Sequence, residues 1–123
     1  MLDTIRLKIA HRTVEAELND SETARMFLEL LPITISMQRW GEEYYGDCGL
    51  KVRPSGDARQ EMDIGELAIW PSGNALCIFF GPTPASTGEK PRAVSPANPI
   101  GRMKGDVSFL KELTGSISVE IEK

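Results

Sequence analysis

A single histidine, His11, is present in the whole chain. A Cys-His or Ser-His-Asp arrangement would have to use it. It stands between two alternating segments, in Ala10-His11-Arg12, where a hairpin turn is expected, with no cysteine or carboxylate cluster at ligand spacing beside it. Metal binding is therefore not expected, and neither is nucleophilic hydrolysis. Ser72 does not change this, because Trp70-Pro71-Ser72-Gly73 lacks the G-x-S-x-G elbow. Cys48 and Cys77 are the only cysteines, too few for a disulfide scaffold and consistent with a reducing, cytoplasmic setting. Cys77, between Leu76 and Ile78, reads as a small core hydrophobe, and Cys48, in Gly46-Asp47-Cys48-Gly49, as a loop thiol. Basic clusters are missing as well: the net charge is −4 and only weak pairs such as Arg6 with Lys8 and Arg102 with Lys104 occur. Without a basic stripe a nucleic-acid partner is not expected. No apolar run reaches the roughly 20 residues of a membrane helix. The opening MLDTIRLKIAHR alternates and lacks the apolar core of a signal peptide. Glycine-rich phosphate loops are absent too, and no cofactor is expected.

What is present fits one soluble domain spanning residues 1–123, with 41% apolar and 26% charged residues. Ile5, Leu7 and Ile9 alternate with polar neighbours, and the alternation resumes at Val14, Ala16 and Leu18, which predicts an opening hairpin. Asn19 and Glu22 have capping-box spacing before Ala24, Phe27, Leu28 and Leu31, so a helix is expected over 20–31, stopped by Pro32. A third strand follows at Ile33, Ile35 and Met37 and runs into Trp40 to Tyr45. Residues 46–63 read as loop, with short strands around Tyr44 and Lys51-Val52. Glu66 to Trp70 and Ala75 to Phe80 form two strands around Pro71-Ser72-Gly73-Asn74. Residues 82–99 hold five of the eight prolines and read as a long loop within the domain, ahead of a short strand at Ile100 to Lys104. A second helix is expected over 106–114, and Ile117, Val119 and Ile121 mark a last strand. With strands at both ends, closure of the sheet with its first and last strands adjacent is the economical way to cover the edges.

Gly65-Glu66-Leu67-Ala68-Ile69, Ala75-Leu76-Cys77-Ile78-Phe79-Phe80 and Pro99-Ile100-Gly101-Arg102-Met103-Lys104-Gly105 resemble three consecutive blocks of the cyclophilins. Trp40-Gly41-Glu42-Glu43 and the stretch Trp70 to Gly81 are similar to signatures of the small prokaryotic cyclophilin-like proteins. The resemblance implies a mainly β fold, a closed eight-stranded antiparallel barrel with a helix capping each end. It also implies a groove on the barrel that takes a proline-containing peptide or a small molecule, with an arginine as the catalytic cation of a prolyl isomerase.

Carried over by that resemblance, Arg39 falls near the family's arginine, Tyr44 near its first pocket phenylalanine, and Phe80 or Phe79 at the second. The family's glutamine meets Gly46 or Asp47, its histidine meets Ala97 or Asn98, and no tryptophan lies between Pro82 and Pro99. The expected ligand-binding set is Tyr44, Tyr45, Trp70, Phe79, Phe80 and Asn98, with Arg39 catalytic only if the protein is an isomerase. Phe79 and Phe80 are neighbours in a strand, so one faces inward and the other faces a cover or groove. Glu42 and Glu43 face opposite sides for the same reason and read as fold determinants or salt-bridge partners, not as an acid-base pair. With the rim incomplete, the expectation is a binding domain without efficient catalysis. The alternatives are a weak prolyl isomerase or, as the resemblance also implies, a component of an amidohydrolase- or carboxylase-type assembly.

Overall fold

Alternation at the N-terminal end becomes the hairpin of β1 (Thr4–Ile9) and β2 (Arg12–Leu18), paired from Thr4↔Glu17 to Ile9↔Arg12 around Ala10 and His11. The computed structural model describes residues 3–123; Met1 and Leu2, where the segment read as lacking a leader begins, lie outside the described residues. Helix α1 (Glu22–Leu28) is shorter than the expected 20–31. Its cap is Ser21, whose Oγ accepts from the Ala24 N–H at 3.1 Å, while Asn19 Oδ1 accepts from the Ser21 N–H one step earlier. Beyond Leu28 the chain tightens to i→i+3 bonds, Leu30 N–H to Phe27 O and Leu31 N–H to Leu28 O, ahead of Pro32.

The remaining strands are β3 (Ile33–Arg39), β4 (Glu43–Asp47), β5 (Arg59–Glu61), β6 (Glu66–Trp70), β7 (Ala75–Phe79), β8 (Arg92–Met103) and β9 (Ile117–Glu122). All pairings are antiparallel, in the order β2-β1-β9-β3-β4-β7-β6-β8, and β8 returns to pair with β2. The result is a closed ring of eight strands, with the first and last strands of the chain, β1 and β9, side by side as expected. β5 lies outside the ring and pairs with the first half of β8.

Three expectations are corrected. The second α-helix is a short 3-10 stretch, Ser108–Glu112, so the two expected capping α-helices reduce to one. Unlike α1, which Ser21 caps, this stretch has no side-chain N-cap bond, and i→i+3 bonds such as Leu110 N–H to Val107 O take over. Lys51-Val52 is not a strand; pairing falls instead at β5, where Gln60 Nε2 donates to Ala93 O. The proline-rich loop is half strand, because β8 begins at Arg92 and passes through Pro96 and Pro99. Pro99 sits where the β6–β8 register shifts, and the β5–β8 pairing that flanks Pro96 shifts too, so the missing N–H groups fall at irregularities of the ladder.

Apolar residues collect in two layers. Inside the ring are Ile5, Leu7, Ile35, Met37, Leu67, Leu76, Ile78 and Phe80, closed by Phe27 of α1 and Leu110 of the 3-10 stretch. Outside it, Met62, Ala68, Cys77, Phe79, Ala93 and Ala97 form a separate layer with Tyr45 and Trp70 at its margin. The first half of β8, with β5, therefore covers the outer face of β6 and β7. This is why the apolar residues of those strands occupy both faces: each face meets a packed layer.

Candidate ligand site

The turn between β3 and β4 builds one end of the site. Trp40 and Glu43 exchange backbone bonds, Trp40 N–H to Glu43 O at 2.8 Å and Glu43 N–H to Trp40 O at 3.2 Å, so Gly41-Glu42 is a two-residue hairpin turn. Gly41 has φ +62°, and a Cβ there would stand 2.7 Å from Pro84 Cδ and 2.8 Å from Thr83 Cα. Only glycine lets the 82–84 segment lie against this turn.

Residues flanking a two-residue turn are cross-strand partners on one face of the sheet. Trp40, Glu43 and Tyr45 accordingly share the outer face of β4, beside Cys77 of β7, paired with Tyr45, and Trp70 of β6. Ala93 and Val94 of β8 complete a cavity of about 230 Å³ over these side chains. Trp70 is held in place: its Nε1–H donates to Ser95 Oγ at 2.6 Å, and Gly73 packs against its six-membered ring. Both tryptophans of the chain thus line one pocket, and both, with Tyr45, remain partly exposed.

Glu43 is the carboxyl group in that wall. It is 5% exposed, and its Oε1 is the one buried side-chain oxygen or nitrogen among the described residues without a hydrogen-bond partner. Burial pushes its pKa from 4.5 up to about 7, with the Cys77 thiol pulling weakly the other way. Cys77 is itself raised well above 9.0, by burial and then by the neighbouring Glu43 charge, so it stays a thiol. The other buried carboxylate, Glu66, is treated differently. It takes both guanidinium nitrogens of Arg59 and the Asp63 N–H at 2.9 Å. The fold satisfies one buried acid fully and leaves the other facing a cavity without a counter-charge.

The residues expected at a groove are divided between the two faces of the sheet. Tyr44 and Phe80 lie inside the ring, stacked with centroids 5.8 Å apart. Arg39 is on that side too: its guanidinium is 5.1 Å from the Phe80 ring centroid and its donors reach Gly41 O at 2.8 Å, Lys111 O at 3.1 Å and Leu113 O at 2.7 Å. These bonds tie the 3-10 stretch to the end of β3. Phe79 faces outward but is sealed beneath the β8 cover, and of the expected set Tyr45 and Trp70 alone reach the pocket. Asn98 is fully buried, accepting from Ser55 N–H at 2.9 Å and donating to Arg53 O at 2.9 Å and Thr23 Oγ1 at 3.2 Å. It anchors the 53–55 loop. Gly46 carries no side chain, and Asp47, at the exposed end of β4, accepts from Gly49 N–H, so neither supplies an amide like the family's glutamine.

Sequence reasoning missed Trp40, Glu43, Cys77, Ala93 and Val94 as lining residues. A signal for the first two was present: Gly41-Glu42 as a turn puts Trp40 opposite Glu43 and on the side of Tyr45. Glu42 does make ion pairs, to Arg39 at 3.9 Å and Lys111 at 4.0 Å, so the salt-bridge reading fits it and not its neighbour. Among the described residues no three His, Cys, Asp or Glu side chains gather as a metal site, and no helix is long and apolar enough to cross a membrane.

The closed antiparallel ring is the architecture that the cyclophilin resemblance implied. The profile of the cyclophilin-like family matches residues 3–122, and the chain belongs to that family. The solution structure of a hypothetical protein from Archaeoglobus fulgidus superposes with a TM-score of 0.80 at 33% identity, over 97% of this chain and 92% of that one. No curated protein matches the chain.

Proposed function

We propose that this chain is a small-ligand-binding domain that uses the ring as the cyclophilin barrel is used, as a rigid scaffold with a site on its outer wall, and that it does not turn over prolyl peptides efficiently. The observation that carries the reading is the buried, uncompensated Glu43 carboxyl at the wall of an aromatic cavity. Ligand sites are apolar concavities with a few placed polar groups, and a stable fold leaves a buried polar atom without a partner only at a cost. At about 230 Å³ the cavity is smaller than a drug-sized site, which suits a small molecule or a single side chain. Against turnover stands the placement of Arg39, whose donors are spent on backbone carbonyls at the ring's end. An isomerase needs its cation beside the twisting peptide.

Two measurements test this. Trp40 and Trp70 are the chain's only tryptophans, so their indole N–H resonances report on the pocket during a fragment titration. Concerted shifts of both signals are expected in the wild type, and in Trp70→Ala the remaining Trp40 signal should no longer move. In parallel, kcat/KM on a proline tetrapeptide is expected to be negligible for wild type and Arg39→Ala alike. Indoles indifferent to every fragment, or efficient turnover that collapses in Arg39→Ala, would sink the proposal.

A further inference from the structure

Resting on that reading of the pocket, we infer that its ligand is a cation: a small organic ammonium, bearing at least one N–H on a compact apolar body, paired with Glu43 and enclosed by Trp40, Tyr45 and Trp70. The first argument is charge. No Lys, Arg or His lines the cavity, and the Glu43 carboxylate lacks the compensation that Arg59 gives Glu66. A buried carboxyl either keeps its proton or takes an opposite charge, and since no lining residue supplies that charge, ionised Glu43 is compensated only by a cationic ligand. The second is the aromatic wall. Indole and phenol rings attract cations and three of them line this cavity, whereas an anionic ligand would meet the carboxylate. The third is the unused acceptor capacity of the carboxylate, which favours an ammonium with an N–H over a fully alkylated one.

The same geometry sets the pH dependence. The titratable neighbours of Glu43 are Cys77 from β7 and Tyr45 on its own strand; Trp70 of β6 and Ala93 and Val94 of β8 bring none. Ammonium binding needs the carboxylate, so affinity should fall about ten-fold per pH unit below the Glu43 pKa of about 7.

The test follows the fluorescence and indole resonances of the two tryptophans during titration with isobutylammonium, the uncharged isobutanol and the anionic isovalerate. Wild type and Glu43→Gln are compared at about pH 8 and about pH 5.5, either side of that titration. Isobutylammonium is expected to bind the wild type on the order of millimolar at the higher pH and roughly ten-fold or more weaker in Glu43→Gln; in acid the wild-type affinity should fall while that of Glu43→Gln stays the same. Isovalerate should not bind, and isobutanol should be weak and indifferent to the substitution. Isobutanol binding as tightly as the ammonium, with no effect of Glu43→Gln, would overturn the cation and leave the pocket as a site. Silence of both indoles toward all three probes would overturn the pocket reading as well. Should Glu43→Gln fold poorly, a pH series on wild type decides: an ammonium affinity that stays flat down to about pH 4, below even the ordinary carboxylate value of 4.5, refutes the inference.

Discussion

Replacing Glu43 with glutamine should change how stability depends on pH more than it changes stability itself. The carboxyl is 5% exposed, and burial raises its pKa from 4.5 to about 7 in the folded state. Between those two values the unfolded chain has released the proton and the folded chain still holds it. Stability contributed by the neutral carboxyl is fully present below pH 4.5, declines as pH rises through the window, and is gone above about 7. At about 1.4 kcal/mol per pH unit the decline amounts to about 3 kcal/mol, with little solvent screening to discount at so buried a site. Glutamine cannot ionise, so the stability difference should move by that amount in favour of Glu43→Gln as pH rises across the window. Urea denaturation at a series of pH values, followed by tryptophan fluorescence, measures it. Asp63, whose slight desolvation is outweighed by hydrogen bonds from Lys90 and Arg102, is held below 3.8 and titrates outside the window. Curves for the two proteins that run parallel across the window, or that diverge in the opposite sense, would refute the assignment of a buried, uncompensated carboxyl.

Gly41→Ala should destabilise by about 2 to 3 kcal/mol, since alanine must take a positive φ and press its Cβ on the backbone of Thr83; urea unfolding within about 0.5 kcal/mol of wild type would show that the turn relaxes freely. Asn98→Ala strands the Ser55 N–H and Arg53 O and should cost about 2 to 4 kcal/mol, with faster hydrogen exchange at Ser55; unchanged exchange there would refute the anchoring role. The Cys77 thiol, 1% exposed and held well above 9.0 by burial, should react with a thiol reagent in the native protein far more slowly than in the unfolded chain; rapid native labelling would contradict the packing of the outer layer.

The strands and the ring's closure were legible because alternation is a local property. Ile5-Leu7-Ile9 and Ile117-Val119-Ile121 each declare one buried face, and two terminal strands with covered edges belong side by side, as β1 and β9 are. The cyclophilin resemblance, carried by residues 40–43, 65–81 and 99–105, implied the closed eight-stranded ring but also a second capping helix that the structure does not have. Boundaries were less legible: the apolar spacing of 106–114 suits a helix, yet without a side-chain cap like that of Ser21 on α1 the segment settles as a 3-10 turn.

Sequence by itself determined that Phe79 and Phe80 part company, because neighbours in a strand face opposite sides. Only the tertiary structure decided which went where: Phe80 joined Tyr44 inside the ring, and Phe79 went beneath the cover. That cover is the proline-rich half of β8, invisible to pattern reading because prolines forbid a regular ladder but not one whose register shifts around them. The same long-range fold made the site. Glu43 in an exposed strand would be an ordinary carboxylate; β8 laid across the outer face of the sheet shuts it from water without bringing it a cation, and that desolvation gives the residue its chemistry.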